Sequence, residues 1–297
     1  MGMRSIHRKE AAAGVLFVLP FLVGFAVFHF APLLSSLLFS LTDLSFITKI
    51  SDLRFVGLQN YATFFNDAKA LLSFEKSAYY AAAYVPLVMI SSLVLAIAVN
   101  AQLYFRKWIR LMLFMPYVSN IVAIAIVWAI ILEVHEGPLN SFLRAMGIDN
   151  PPMWLLGMHT VLPTIAMIVA WQNLGFNLIT FLAALQGIPS ELYEAATVDG
   201  AGYFRRLLRI TLPMISPTTF FLTISALLIS LQNFGPIQVL TQGGPGSAST
   251  TISINLYQET FGNFRIGYAC AQSVILLFII MSVTIFIWRA QKKWVNY

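Results

Sequence analysis

Six stretches of the chain contain no Asp, Glu, Lys or Arg. They cover residues 11–42, 77–105, 111–132, 150–190, 210–258 and 266–288. Each exceeds the ~20 residues that a helix needs to cross ~30 Å of hydrocarbon, where helices satisfy their own backbone polar groups. Only 10% of the 297 residues are charged, against roughly 25% in an ordinary soluble domain. The sequence therefore predicts an all-α integral membrane protein.

We place six transmembrane helices in these stretches, within a single domain that covers residues 1–297. The helices are predicted at about 12–41, 78–101, 110–133, 160–184, 213–235 and 267–290. The first apolar stretch is far longer than the 7–15 residues of a signal-peptide core, so we expect it to remain as a membrane helix.

Basic residues are concentrated on one side of this arrangement. The termini and the loops 101–110 and 185–212 carry twelve of the eighteen, namely Arg4, Arg8, Lys9, Arg106, Lys107, Arg110, Arg205, Arg206, Arg209, Arg289, Lys292 and Lys293. Cytoplasmic loops of membrane proteins are enriched in Lys and Arg. We therefore expect a multi-pass protein of the cell membrane with both termini and the 185–212 loop in the cytoplasm. The net charge of +6 follows from this bias and does not indicate a nucleic-acid partner.

Several kinds of chemistry are disfavoured. The only cysteine, Cys270, forms no intramolecular disulfide, and no Cys/His cluster indicates a metal site. No Gly-Lys pair exists for a phosphate-binding P-loop, so the chain does not bind ATP in that way. Glu133-Val-His-Glu136 lacks the paired histidines of a zinc helix, and we interpret it as a solvated helix end. The predicted helices have no interior charge, which disfavours an ion-coupled carrier.

Uncharged polar residues do occur in the predicted helices. Eight of them are candidates for a solute path, and we call these eight the polar set: Tyr117, Asn120, Trp171, Asn173, Asn177, Gln232, Asn233 and Gln272. Amides in hydrocarbon are costly unless paired, so they face other helices or a wet cavity. Amides together with aromatic rings suit a neutral, hydroxyl-rich solute. Each residue singly is also compatible with a helix-to-helix contact, whereas the group favours a solute path.

The segment 191–213 is a charged, turn-containing interruption between two predicted membrane helices. The hairpin predicted there extends over residues 190–211. Ser190 is expected to cap a short helix that bears Glu191 and Glu194 near its positive end. Gly200 and Gly202 predict a turn, a second short helix carries Arg205, Arg206 and Arg209, and Pro213 is expected to open the fifth membrane helix. From the residues alone, this helix–turn–helix hairpin is either a docking element for a partner protein or an interfacial amphipathic helix.

The spacing within this segment resembles a family signature. Membrane subunits of binding-protein-dependent ABC importers carry E-A-A, three residues, G, nine residues and I-x-L-P before the penultimate helix. The chain has Glu194-Ala195-Ala196, Gly200 and Ile210-Thr-Leu212-Pro213 at those spacings. The resemblance implies the type I importer permease fold, with a cytoplasmic coupling helix that contacts an ATPase subunit. It implies coupling roles for Glu191, Glu194, Ala195, Ala196, Asp199, Gly200 and Arg205.

The resemblance extends to the carbohydrate branch of that family over nearly the whole chain. Segments 16–46, 55–65, 182–196 and 240–246 are similar to the first, maltose- or glycerol-3-phosphate-importer-like permease of a heterodimeric pair. It implies a non-catalytic subunit without a cofactor of its own. Its implied partners are a second permease, two ATPase subunits that bind ATP and Mg, and an extracytoplasmic solute-binding protein. A membrane scaffold with no solute path is the alternative.

Overall fold

The computed structural model describes residues 3–49, 52–101 and 106–291, and of residues 3–13 and 106 it describes the backbone only. Lys292, Lys293 and the C-terminal end, which we assigned to the cytoplasm, lie outside the described residues. So do residues 1–2 and the side chains of Arg4, Arg8, Lys9 and Arg106.

The described chain is helical, as the sequence predicts. In chain order the α-helices are α1 (Met3–Phe25), α2 (Ala31–Phe39), α3 (Gln59–Asn66), α4 (Ala68–Asn100), α5 (Arg106–Val118), α6 (Ile121–Ile131), α7 (Pro138–Ala145), α8 (Val161–Gln186), α9 (Ser190–Val198), α10 (Tyr203–Arg206), α11 (Leu212–Met214), α12 (Ser216–Leu231), α13 (Gly235–Leu240), α14 (Ile252–Tyr257) and α15 (Ile266–Ala290). One π-helical turn, Ala26–Phe30, joins α1 to α2, and another, Leu207–Thr211, joins α10 to α11.

The number of membrane-crossing helices agrees with the predicted six when one bent pair is included. Within the described residues, five helical stretches are long and apolar enough to cross a bilayer: Gly14–Phe39, Ala68–Asn100, Val161–Gln186, Ser216–Leu240 and Ile266–Ala290. The sixth is the pair α5 and α6. The second crossing helix begins at Ala68, well before the predicted residue 78. The polar residues before position 78 do not end the helix, because its buried face continues through them.

The predicted third span, 110–133, is not one helix. Its two halves, Lys107–Val118 and Ile121–Ile131, meet at an angle of 101°. Asn120 is the N-cap of α6, and its Oδ1 accepts hydrogen bonds from the backbone N–H groups of Val122 (2.8 Å) and Ala123 (3.4 Å). The prediction of a continuous helix through Asn120 is therefore wrong. Asn120 starts a new helix instead, because an Asn side chain competes for backbone N–H groups.

The chain contacts group into two compact units. The first consists of Met1–Asp67 with Leu256–Leu277, and the second of Ala68–Asn255 with Phe278–Tyr297. The single domain predicted from the sequence stays a prediction.

In the first unit, the start of α15 packs against the segment that follows α2. Gly267 donates its N–H to the carbonyl of Leu44 (2.8 Å), and a Cβ at Gly267 would lie 2.2 Å from the carbonyl oxygen of Thr42. Asn60 holds the same segment by donating to the carbonyls of Ser40 (2.9 Å) and Thr42 (2.8 Å). A glycine at position 267 is therefore required by the close backbone approach.

In the second unit, α4 and α8 form the main contact, and α12 and α5 pack beside them. The core includes Tyr84, Val88, Leu178 and Phe181, each fully enclosed. Gly175 of α8 allows α5 to approach closely, since a Cβ there would lie 2.4 Å from the carbonyl oxygen of Leu113. This unit contains the 190–211 hairpin and all of the polar set except Gln272.

Candidate functional site

The first arm of the 190–211 hairpin is α9. The helix begins at Ser190, and Pro189, with φ −57° and ψ 134°, occupies the N-cap position. The prediction that Ser190 is the cap is therefore wrong by one residue. Proline fixes its own φ and has no N–H to satisfy, which suits a helix entry. Glu191 lies in the first turn, where a carboxylate complements the helix dipole.

Gly200 forms the turn that the sequence predicts. Its φ is +71°, its N–H donates to the carbonyl of Thr197 (3.0 Å), and the N–H of Ala201 donates to the carbonyl of Ala196 (2.8 Å). These two bonds make a Schellman motif, in which a left-handed residue closes the helix end. A Cβ at Gly200 would meet no atom within 4 Å. The glycine is therefore required by its backbone conformation and not by lack of space.

The second arm differs from the prediction in its continuation. Pro213 lies in the first turn of the three-residue helix α11, whereas the long apolar helix α12 begins at Ser216, with Pro217 in its own first turn. The expectation that Pro213 opens the fifth membrane helix is therefore wrong. Ile215 breaks the path with φ −90° and ψ 4°, and Ser216 Oγ donates to the carbonyl of Pro213 (2.6 Å).

Side-chain hydrogen bonds join the two arms. The hydroxyls of Tyr193 and Thr211 are 2.9 Å apart, and Arg206 Nη1 donates to Thr197 Oγ1 (3.1 Å). Thr211 is buried. These two hydrogen bonds hold the arms of the hairpin to each other.

The predicted coupling residues are mostly accessible. Six of the seven are exposed in this chain, namely Glu191, Glu194, Ala195, Asp199, Gly200 and Arg205, and Ala196 is half-buried. Three apolar side chains that the sequence analysis missed are also exposed: Val198 (89%), Phe204 (74%) and Leu208 (61%). Apolar residues on a short charged hairpin have little protein to pack against, so the sequence could have indicated that they are exposed. An exposed apolar patch marks an interaction surface.

The aromatic members of the polar set stack on further rings of the second unit. Tyr117 of α5 stacks on Phe176 of α8, with ring centroids 5.2 Å apart. Trp171 of α8 meets Trp128 of α6 edge to face at 5.6 Å. Trp171 is 41% exposed and Tyr117 is 38% exposed. Trp128 and Phe176 are not among the residues predicted from the sequence, because an aromatic ring in an apolar helix is most simply a packing residue.

The amides of the polar set make mainly internal hydrogen bonds. Asn173 and Asn177 share one face of α8, as their spacing predicts, and donate to the carbonyls of Val169 (2.9 Å) and Asn173 (2.8 Å). Asn177 is only 4% exposed. Asn233 donates to the hydroxyl of Tyr80 (2.5 Å), which is fully buried.

The remaining members differ in exposure. Gln232, at the C-cap of α12, is exposed. Gln272 belongs to the first unit and is buried. Asn120 caps α6, so its side-chain oxygen Oδ1 already accepts hydrogen bonds from backbone N–H groups. A role of these residues toward a solute stays a prediction.

The turn after α6 contains the acidic segment that we interpreted as a solvated helix end. The Glu133 carboxylate accepts the backbone N–H of Glu136 and that of His135, and these bonds lower the pKa of Glu133, the one from Glu136 most. A lowered pKa stabilises the folded turn at neutral pH, and this contribution is lost as the pH falls through the lowered value. Among the described residues, no three His, Cys, Asp or Glu side chains are grouped to hold a metal ion.

Known proteins share the sequence pattern and the architecture of this chain. Residues 88–295 match the family described as binding-protein-dependent transport system inner membrane component. A probable ABC transporter permease protein, YesP of Bacillus subtilis, is 32% identical over 99% of this chain and 94% of its own length. The sn-glycerol-3-phosphate transport system permease protein UgpA of Yersinia pestis is 33% identical over 95% of each chain.

Two further comparisons extend this result. The arabinooligosaccharides transport system permease protein AraP of Bacillus subtilis is 30% identical over 96% of this chain and 90% of its own length. Among solved structures, a chain of a bacterial ABC transporter involved in the import of the acidic polysaccharide alginate superposes with a TM-score of 0.83. It covers 99% of both chains at 23% identity, so this match supports the fold alone.

Proposed function

Since the chain belongs to the family of binding-protein-dependent transport system inner membrane components, we propose that it is one permease subunit of an ATP-driven ABC importer for a sugar or oligosaccharide. The observation that carries this proposal is the 190–211 hairpin. With Pro213 just beyond it, the hairpin has the signature spacing of Glu194, Gly200 and Pro213, together with a Schellman turn at Gly200 and an accessible outer surface. The chain itself is not catalytic, and ATP and Mg are bound by its partner ATPases.

The hairpin is the coupling element in this proposal. Small and acidic residues of α9 are exposed beside the apolar side chains of Val198, Phe204 and Leu208, a composition that suits a protein partner. The Tyr193–Thr211 contact ties the arms, so a push on α9 reaches α11 and α12. Closure of two ATPase subunits would thereby move the membrane helices.

The solute path in this proposal runs along the polar set of the second unit. Exposed Trp171 and Tyr117 offer ring faces for stacking, and Gln232 offers an exposed amide. The polar set carries no charge, which favours a neutral saccharide over an anionic one. The name of AraP, which concerns the neutral arabinooligosaccharides, supports this substrate class, whereas the name of UgpA concerns the anion glycerol 3-phosphate.

The proposed assembly contains a second homologous permease, two ATPase subunits and an extracytoplasmic solute-binding protein. The chain lies in the cell membrane, with both termini and the hairpin in the cytoplasm, as the distribution of basic residues favours.

A bulky substitution at Ala195 tests the coupling role. Ala195 is exposed on α9, so Ala195→Trp should leave the fold intact and block a close-fitting partner. We expect ATP-dependent sugar uptake in proteoliposomes of the complete transporter to fall at least about tenfold, the effect of losing a strong interface contact.

Ala145→Trp is the matched control, because Ala145 is an exposed alanine at the end of α7. It should retain uptake within about twofold. Normal uptake by the Ala195→Trp protein, with ATPase subunits still bound, would remove the basis of the coupling proposal.

A specific observation also favours the alternative of a scaffold without a solute path. The amide of Asn233 donates to the hydroxyl of Tyr80 in α4, as expected of a contact that holds helices together, and those of Asn173 and Asn177 donate to carbonyls one turn earlier in α8. A scaffold predicts that Gln232→Leu, at an exposed position, leaves uptake unchanged. Reduced uptake by this variant in an intact assembly supports the path.

A further inference from the structure

A cavity of about 340 Å³ lies between the 190–211 hairpin and the ends of α4 and α8. All of its lining residues belong to the second unit. Its volume is at the lower end of the range of small-molecule sites, which is roughly 300–1,000 Å³. The cavity is separate from the outer surface of α9 that we propose contacts the ATPase, because the exposed Glu194 and Ala195 do not line it.

The polar part of the lining includes hydrogen-bond donors. Asn100 contributes an amide, Tyr203 a hydroxyl and Arg206 a guanidinium, whereas the hydroxyls of Tyr193 and Thr211 are hydrogen-bonded to each other. Among the described residues, no carboxylate lines the cavity and none forms an ion pair with Arg206. Its hydrogen bond to Thr197 Oγ1 (3.1 Å) fixes the side chain without neutralising its charge.

This donor set suits an anion with several acceptor oxygens. A guanidinium presents five N–H donors in a planar fork, which matches phosphate in a bidentate geometry. The bond to Thr197 occupies one end of the fork, so further donors are available. The neighbouring Arg205 and Arg209 are exposed and cationic, and they add to the positive potential around the cavity.

The remaining lining is apolar. Ile97, Leu185 and Leu207 face the cavity, and Leu185 is itself only 6% exposed. The site lies where the apolar span of α4 ends, at Asn100. A ligand that fills it therefore carries an anionic group next to a less polar part, as phosphate esters do.

We propose that this cavity binds a phosphate ester, with Arg206 as the group that contacts the phosphate. The ester is either the headgroup of a phospholipid or a soluble phosphate ester, and both present the same chemistry to the site. A ligand here contacts both arms of the hairpin and the end of α4. Binding is measured directly, so the proposal does not depend on the transport function.

The experiment uses the full chain in a polyoxyethylene detergent, which contains neither phosphate nor sugar. Glycerol 3-phosphate, titrated by calorimetry, is the soluble probe. Phosphatidylglycerol, counted by native mass spectrometry, is the lipid probe. The wild-type chain is expected to bind at least one of them, and the probe that binds identifies the source of the ester.

Two arginine variants and one filled cavity provide the comparison. Arg206→Gln should weaken binding at least about tenfold, as loss of a charge-assisted hydrogen bond does. Arg209→Gln removes the same charge outside the lining and should weaken it by less than about twofold. Asn100→Trp fills the cavity from an exposed helix end without changing the charge, and binding should be lost.

Three results would overturn the proposal: neither probe binds the wild type, the two arginine variants weaken binding equally, or Asn100→Trp binds normally. Equal weakening would identify general surface charge as the cause. If Arg206→Gln fails to fold, as judged by its circular dichroism, the result for Asn100→Trp decides alone.

Discussion

Gly200 illustrates how one residue fixes the geometry of the hairpin. Its φ of +71° lies in the left-handed region, which residues with a Cβ adopt at a cost of roughly 1–2 kcal/mol. The neighbouring Gly202 has an ordinary φ of −67°, and a Cβ on either glycine would meet no atom within 4 Å. The two glycines therefore differ in backbone conformation, although the sequence predicts the same turn for both.

Gly200→Ala should loosen the hairpin, whereas Gly202→Ala should not. We expect the amides of residues 190–211 to exchange hydrogen about 5- to 30-fold faster in the Gly200→Ala protein, the factor for one or two kcal/mol. Hydrogen-exchange mass spectrometry measures this effect. Equal exchange in the two variants would show that the left-handed turn is not what holds the arms together.

Asn233 and Gln232 are neighbours with different expected roles. Asn233→Leu removes the donor to the buried hydroxyl of Tyr80, and an unsatisfied buried group costs about 1–3 kcal/mol. Its thermal unfolding midpoint in detergent should fall. Gln232→Leu changes an exposed side chain and should alter stability by less than about 0.5 kcal/mol. The reverse order of the two midpoints would contradict this assignment.

At the scale of elements, a close helix contact depends on Gly175. A Cβ at this position would lie 2.4 Å from the carbonyl oxygen of Leu113 and 2.6 Å from Cα of Phe114, so α5 has no room to accept a methyl group. Gly175→Ala should destabilise the chain by about 1–3 kcal/mol, as overpacking does.

Gly187→Ala is the control for this prediction, because the nearest atom to its Cβ, the carbonyl oxygen of Ala184, is 3.4 Å away. Thermal unfolding in detergent compares the two variants. A Gly175→Ala protein as stable as the Gly187→Ala protein would mean that α5 and α8 can separate freely.

Elements were predictable where one physical signal dominates. Length and absence of charge located all six crossings, and the left-handed preference of glycine located the turn at Gly200. The break at Ser119 and Asn120 was not predictable in this way. The length of a charge-free stretch shows that a helix could cross the membrane, but it does not show whether that helix bends. The contacts of Asn233 and Gly175 also escaped the sequence analysis, since each depends on a neighbour more than fifty residues away in the chain, Tyr80 and Leu113 respectively.

At the scale of the whole molecule, the proposed orientation places the hairpin and the 134–159 connection on opposite sides of the membrane. Cys270 is the only cysteine, so Cys270→Ala provides a cysteine-free background. In it, Val198→Cys and Phe142→Cys introduce thiols at positions that are 89% and 61% exposed.

An impermeant maleimide should label Phe142→Cys in spheroplasts and Val198→Cys only in inside-out vesicles, which are stripped of the ATPase subunits so that Val198→Cys is not covered. The exclusive pattern follows from the bias of basic residues towards the cytoplasm. Labelling of both positions from the same side would contradict the proposed orientation.

The bend between α5 and α6 also has a consequence for the surrounding bilayer. The two arms contain 13 and 11 residues, which correspond to about 20 Å and 16 Å of helix, so neither alone crosses ~30 Å of hydrocarbon. Acyl chains cannot solvate the helix ends at such a break. Ser119 and Asn120 are exposed in this chain, and so we expect water or a neighbouring subunit, rather than lipid, to lie against this break.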